Sequence, residues 1–208
     1  MSECKNKYSI AVTYDCNWNC GFCIVDTHHQ PKVTFEELKE KIDEVEPFSE
    51  VSLSGGEPGL LKQNELEYCI KTLKNKNCKI NVNTNGTFFV NHKEYCDDID
   101  FFYYHCSENL DIDKGILLDG VPLDKTEFMV VLTDENFKRL DWFIENYPNI
   151  LFRVASADEA MVGGKKGTTL NTKNAIKVWK KHKDKITKDS VMYLLENCVS
   201  VNNEYKIK

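Results

Sequence analysis

Short apolar runs alternate with amphipathic segments along most of the chain. The runs are rich in β-branched and aromatic residues and predict six strands, at residues 8–14, 50–54, 78–83, 101–105, 127–132 and 149–154. Run 127–132 is apolar almost throughout, which is typical of a strand buried on both faces. The pattern predicts short strands separated by longer connections.

Helical spacing of apolar residues characterises most of these connections. Thr34 and Glu37 form a capping box, and the helix that follows is expected to end before Pro47. Asp134 can cap a later helix, and Thr172 can open the last one. The apolar helical positions are Phe35, Leu38, Ile42 and Val45; Leu66, Cys69, Ile70 and Leu73; Phe137, Leu140, Phe143 and Ile144; and Ala175, Ile176 and Trp179.

The repeated alternation of strand and helix predicts an α/β fold. Parallel strands need crossover connections, and these place the helices outside the sheet. Six such units predict a partial (β/α)6 barrel, and 208 residues suffice to bury its core without disulfide bonds. We therefore expect one domain over residues 1–208, with an irregular crossover in segment 106–126.

Composition is that of a globular protein in a reducing compartment. Apolar residues make up 41% and charged residues 29%, and no apolar run is long enough to cross a membrane. The N-terminus lacks the pattern of a signal peptide. Nine cysteines, an odd number with three of them clustered, disfavour a disulfide-bonded secreted scaffold. A cytoplasmic location without membrane contact is expected.

Charge is spread unevenly along the chain. The formal net charge is −6, yet segment 163–188 contains nine lysines and one acidic residue. Its Lys165 and Lys166 lie between glycines and precede the last predicted helix, so this region could bind an anionic substrate or an acidic partner. The alternative is a loop and a basic helix face that are simply solvated.

Three cysteines follow the first predicted strand within eight residues. Cys16, Cys20 and Cys23 have the spacing C-x3-C-x2-C. A structural zinc ion takes four protein ligands, whereas three thiolates on a [4Fe–4S] cluster leave one iron open to another ligand. The trio therefore favours a cluster with an open position. The other cysteines are interpreted as isolated buried or surface thiols: Cys4, Cys69, Cys78, Cys96, Cys106 and Cys198.

A glycine motif, Gly55-Gly56-Glu57-Pro58, follows the second predicted strand. Glycines let a ligand approach the backbone closely, and Glu57 offers a carboxylate to an ammonium group. Taken alone, a glycine pair is weak evidence, since it can also form a tight turn between a strand and a helix. Its interpretation therefore depends on the cysteines that precede it.

The cysteine spacing and the glycine motif together resemble the radical S-adenosylmethionine (SAM) superfamily. The resemblance implies that the three clustered cysteines hold a [4Fe–4S] cluster and that SAM binds its open iron. It also implies that Gly55, Gly56 and Glu57 bind the SAM amino group. Phe22 would pack near the cluster and the adenine, with ordinary core packing as the alternative.

Polar residues also follow the third and fourth predicted strands. Loops after the carboxyl ends of parallel strands meet at one mouth of a barrel, so these residues are expected near the cysteine loop. The resemblance implies that Asn83 and Thr84 contact SAM, although relatives often have an acidic residue where this chain has Asn83. Ser107 and Glu108 are expected at the ribose hydroxyls by position.

The chemistry that the resemblance implies is a radical reaction. A donor such as flavodoxin or ferredoxin reduces the cluster, and SAM is cleaved to methionine and a 5′-deoxyadenosyl radical. This radical abstracts a hydrogen atom from a small-molecule, nucleotide-like or peptide substrate. The protein has to position cofactor and substrate and to exclude competing hydrogen donors.

The sequence leaves the substrate open. A core of this length resembles carboxy-deazaguanine synthases and glycyl-radical activating enzymes, and an enzyme that makes a glycyl radical on a partner protein is the main alternative. A different class is a non-enzymatic iron–sulfur electron carrier or a zinc-binding module, with Cys4, Cys106 or a histidine as a further ligand. That alternative leaves the glycine motif without a role.

Overall fold

A computed structural model describes residues 6–20, 23, 30–106, 118–134, 136–156 and 170–187. Its strands are β1 (Lys7–Thr13), β2 (Glu50–Gly55), β3 (Lys79–Thr84), β4 (Phe101–His105), β5 (Thr126–Leu132) and β6 (Phe152–Ser156). Its helices are α1 (Phe35–Asp43), α2 (Gln63–Asn75), α3 (Thr87–Asn91), α4 (Arg139–Asn146) and α5 (Thr172–His182). The strand order follows the chain from β1 to β6. Within the described residues, the predicted α/β class with six strands is confirmed.

The described chain divides into two compact units. The first contains β1 to β4 with α1 to α3, and its strands pair in parallel, each with the next. The second contains Cys20, Cys23, Cys106 and the described residues from Glu127 onward, with the parallel pair of β5 and β6. The single domain expected over residues 1–208 stays a prediction.

The core of the first unit lies on one face of its sheet. Alternate strand residues on this face are at most 8% exposed, because the side chains of a strand point to opposite faces in turn. Helix α2 contacts β3, and α1 contacts α2. The buried residues are Ile10, Val12, Val51, Leu53, Ile80, Val82, Phe102 and Tyr104 on the strands, and Leu38, Ile42, Leu66, Cys69, Ile70 and Leu73 on the helices. Each large aliphatic side chain buried here contributes about 1.5–3 kcal/mol.

The opposite face of β1 to β3 is polar. Ser9 and Ser52 are register partners, and so are Ser52 and Asn81, so one polar row crosses three strands. The Asn83 amide donates to Ser52 Oγ at 2.6 Å, and the hydroxyls of Ser9 and Ser54 lie 3.1 Å apart. Parallel strands with both faces in a hydrophobic core are apolar on both, so this face of the first unit is not a hydrophobic core.

The helix ends agree with the sequence at α1 and differ from it at α4. The capping box is confirmed, since Thr34 Oγ1 accepts from the Glu37 backbone and Glu37 Oε2 accepts from the Thr34 backbone. The expected cap at Asp134 is wrong, because α4 begins later, after Lys138. Asp134 instead accepts hydrogen bonds from the backbone and side-chain amides of Asn171, the residue that caps α5.

Two further findings concern helices. The short helix α3 and the 3₁₀ segment Lys93–Asp98 connect β3 to β4, where the sequence pattern predicts no helix. Among the described residues, no helix is both long enough and apolar enough to cross a membrane.

Candidate functional site

The loops that follow β1, β2 and β3 are joined by hydrogen bonds. The backbone amide of Gly56 donates to Thr13 O at 2.6 Å, and that of Glu57 donates to Asp15 O at 2.8 Å. The Asn85 backbone amide, after β3, donates to Glu57 Oε2 at 2.7 Å. The glycine motif therefore contacts the start of the cysteine loop on one side and the strand-three loop on the other.

Gly55 and Gly56 are required by the fold, because a side chain at either position would clash with the backbone at the end of β1 or in the loop after it. A Cβ atom on Gly55 would lie 2.4 Å from Thr13 O, and one on Gly56 would lie 2.2 Å from Asp15 O. Gly55 also has a φ of +105°, which side chains disfavour. These glycines therefore permit a close approach between two loops of the protein. The contact of Gly55 and Gly56 with SAM stays a prediction.

Glu57 is buried, with 1% of its surface exposed. Its Oε1 accepts from Thr84 Oγ1 at 2.7 Å and from the Gly59 backbone at 2.8 Å, while Oε2 accepts from Asn85. Burial raises the pKa of the Glu57 carboxyl, and the three hydrogen bonds act in the opposite direction. The carboxylate fixes the loop after β3, and its contact with SAM stays a prediction.

Thr84 shapes the same loop. Its hydroxyl donates to Glu57 and accepts from the backbone amides of Gly86 at 3.0 Å and Phe88 at 3.3 Å. Gly86 has a φ of +102°, and a Cβ atom there would lie 2.7 Å from Tyr104 Oη. Thr84 is therefore buried within the loop, whereas Asn83 lies half-buried on the polar face beside Ser52.

Asn17 and Asn85 were not predicted as site residues. The Asn85 side-chain amide donates to Asn17 Oδ1 at 2.9 Å and lies 4.0 Å from Cys16 Sγ. The Asn17 amide donates to Thr87 Oγ1 at 3.0 Å. The Asn85-Gly86 pair reads as a turn in the sequence, and nothing in its spacing indicates that the asparagine contacts the cysteine loop.

The clustered cysteines are all partly exposed. Cys16 Sγ accepts from the Trp18 backbone amide at 3.4 Å, and the Cys23 amide donates to Cys20 O at 3.1 Å. Hydrogen bonds to cysteine sulfur are a usual feature of iron–sulfur sites, so the contact of the Trp18 amide with Cys16 is compatible with a cluster ligand. Within the described ranges, no three His, Cys, Asp or Glu side chains are arranged to hold a metal ion.

Two other cysteines are buried thiols. Burial raises the pKa of Cys69 to about 12 and that of Cys106 further still. The Cys106 thiol donates to Met129 O at 3.3 Å. Because a metal ligand must be a thiolate, these surroundings disfavour Cys106 as a fourth ligand. Seven residues for which the sequence makes a prediction lie outside the described residues: Cys4, Phe22, Ser107, Glu108, Lys165, Lys166 and Cys198.

Comparison with known proteins shows which family and which solved structures this chain resembles. Residues 10–101 match the family described as the radical SAM superfamily. A Methanocaldococcus jannaschii protein named as a glycyl-radical enzyme activating enzyme is 32% identical over 80 residues, which are 37% of this chain and 31% of that protein.

Solved structures share the fold at low sequence identity. Native anSMEcpe with bound AdoMet and a Cp18Cys peptide has a TM-score of 0.59 at 13% identity, over 86% of this chain and 58% of that one. Streptococcus suis SuiB bound to the precursor peptide SuiA has a TM-score of 0.59 at 14% identity, over 97% of this chain and 53% of that one. The chain spans less than two thirds of each of these proteins.

These matches bear on fold and family. The likeness to the solved structures confirms the predicted partial-barrel fold, and the cofactors of the matched family are SAM and a [4Fe–4S] cluster, as the sequence predicts. The predicted resemblance to the radical SAM superfamily is therefore confirmed for residues 10–101, which match the model of that family.

Proposed function

We propose that this chain cleaves SAM reductively and uses the resulting 5′-deoxyadenosyl radical to abstract a hydrogen atom from a peptide or protein. The observation that supports it most is the hydrogen-bonded junction of three loops. The loop that begins at Cys16, the glycine motif and the strand-three loop meet there through Glu57 and Asn85. This arrangement brings together the segments that carry the motifs of the family.

Cys16, Cys20 and Cys23 would hold the cluster. They occupy one eight-residue stretch and offer three thiolate ligands, which leaves one iron for SAM. When bound, the cluster would supply a low-potential electron for the cleavage of SAM. The chain itself has to fix the loops around the cluster and to offer polar groups to cofactor and substrate. The buried Glu57 carboxylate fixes these loops through its hydrogen bonds.

The polar face of β1 to β3 supports a substrate rich in amide groups. Its serines and asparagines can each donate and accept hydrogen bonds, as peptide groups do. The M. jannaschii relative is named as an activating enzyme for glycyl-radical enzymes, and two of the similar structures are bound to peptides. An electron donor such as flavodoxin or ferredoxin, an acidic partner at Lys165 and Lys166, and a cytoplasmic location stay predictions.

The first test is SAM cleavage. Anaerobically reconstituted protein, reduced with dithionite and given SAM, is expected to form 5′-deoxyadenosine, measured by chromatography and mass spectrometry. Cys20→Ala is expected to abolish product, because one iron loses its ligand. Cys106→Ala, a change at a buried thiol with no assigned role, is expected to keep both iron content and product.

Two outcomes would contradict the proposed cleavage of SAM. Protein loaded with about four irons per chain that binds SAM and yet forms no 5′-deoxyadenosine would contradict the proposal and favour an electron carrier. Colourless protein that binds zinc would favour the zinc-binding alternative.

The second test concerns the substrate. Peptides with α-deuterated glycine are expected to transfer deuterium to 5′-deoxyadenosine if the chain makes glycyl radicals. Matched peptides deuterated only at serine or cysteine side chains serve as the control. Transfer from these and not from glycine would contradict glycyl-radical formation while retaining a peptide substrate. Transfer from neither, with SAM cleavage intact, would contradict a peptide substrate.

A further inference from the structure

We propose that Asn85 is a positioning residue that donates an amide hydrogen to the sulfur of Cys16 and thereby raises the reduction potential of the bound cluster. The inference rests on the proposed function, because it takes Cys16 as a ligand of that cluster. Asn85 belongs to the strand-three loop and Cys16 to the loop after β1, so the contact links two segments of the first unit.

The orientation of the Asn85 side chain follows from its neighbours. Its Oδ1 accepts from the Thr87 backbone amide at 3.1 Å and from Thr87 Oγ1 at 2.7 Å. A backbone N–H can only donate, so the oxygen must face Thr87 and the NH₂ group must face the other way. The amide nitrogen then has two hydrogens for two acceptors, Asn17 Oδ1 at 2.9 Å and Cys16 Sγ at 4.0 Å.

The backbone of Asn85 is held in place by the buried carboxylate of Glu57. Its N–H donates to Glu57 Oε2, and the carboxylate is itself held by Thr84 and Gly59. Because Glu57 is only 1% exposed, water does not compete for these hydrogen bonds. The position of the Asn85 amide beside Cys16 is therefore preorganised.

A hydrogen bond to a cluster sulfur raises the reduction potential of the cluster. One-electron reduction adds negative charge to the cluster and its thiolates, and an N–H donor stabilises that charge. The Trp18 backbone amide also donates to Cys16 Sγ, but among substitutions only proline removes a backbone N–H, and proline also restricts the backbone. Asn85 is thus the donor whose contribution a substitution can isolate.

The test compares midpoint potentials of the reconstituted protein in an anaerobic redox titration followed by electron paramagnetic resonance. Asn85→Leu keeps a similar side-chain size but has no amide, and its midpoint potential is expected to be lower than that of the original protein. Asn91→Ala is the matched control, since it removes the hydrogen bond that the Asn91 side-chain amide, in α3, donates to Gly59 O. Its midpoint potential is expected to be unchanged.

A second variant covers the case in which Asn85→Leu does not take up iron. Asn85→Asp keeps an acceptor for Thr87 and replaces the amide donor by a second oxygen, so a larger decrease in potential is expected. Midpoint potentials equal to that of the original protein in iron-loaded Asn85 variants would overturn the inference.

The two proposals fail in different ways. A cluster that forms and is less easily reduced in the Asn85 variants supports the inference, even where no 5′-deoxyadenosine forms and the proposed function fails. A chain that forms no cluster at all overturns both.

Discussion

Replacing Glu57 with alanine is expected to lower the free energy of unfolding by about 3 kcal/mol or more. The substitution leaves three buried donors without an acceptor, namely Thr84 Oγ1 and the backbone amides of Gly59 and Asn85. Each such loss costs about 1–3 kcal/mol. Urea unfolding of the full chain under reducing conditions, followed by circular dichroism, measures the change, and iron content after reconstitution is expected to fall with it.

Two variants make this result specific. Glu67→Ala removes an exposed carboxylate that pairs with Lys71 on α2, and its expected cost is below about 0.5 kcal/mol. Glu57→Gln keeps the size of the side chain but sets an NH₂ group against one donor, so an intermediate cost of about 1–3 kcal/mol is expected. A Glu57→Ala protein as stable as Glu67→Ala would show that the carboxylate does not hold the loops together.

Gly56→Ala is expected to be about as disruptive, and for a steric reason. The new Cβ would lie 2.2 Å from Asp15 O and 2.7 Å from Tyr14 C, and both are backbone atoms that cannot rotate away. The loops must separate, which breaks the hydrogen bond from the Glu57 amide to Asp15 O. We expect a loss of about 3 kcal/mol in unfolding free energy and a reduced capacity to take up iron.

Gly120→Ala provides the matched glycine control. Gly120 also has a positive φ, +77°, but its Cβ would meet the flexible end of the Lys93 side chain, at 3.1 Å or more. The expected cost is therefore the backbone strain alone, about 1–2 kcal/mol. Equal stability and equal iron content in the two glycine variants would contradict the steric explanation for Gly56.

Much of the fold could be predicted from the sequence, because buried strands and amphipathic helices have strong periodic patterns. The capping box at Thr34 fixed the start of α1 to the residue. The Asp134 cap failed because a carboxylate can accept from any nearby donor, and the nearest is Asn171, distant in sequence. Helix α3 was missed because it is five residues long and begins after a glycine, with no side-chain cap.

The sequence predicts which segments form the candidate site, but it predicts few of the contacts between their side chains. Cysteine spacing and the Gly-Gly-Glu motif indicate which loops matter, since their residue types are unusual at those distances. The partner of each side chain depends on tertiary structure. A glycine that admits a ligand and a glycine that admits another loop look alike in sequence. The structure shows the second role for Gly56, because a Cβ atom there would lie 2.2 Å from Asp15 O.

The buried carboxylate of Glu57 has a consequence for how such motifs are interpreted in other proteins. Gly55, Gly56 and Glu57 stabilise the fold in the absence of a ligand. The two glycines let the end of β1 and the loop after it approach closely, and Glu57 accepts hydrogen bonds from the loop after β3. A descendant that had lost its cofactor would still need these residues in order to fold. Within an unfamiliar protein, Gly-Gly-Glu after a second strand is therefore evidence of architecture first, and the cysteines carry the evidence for chemistry.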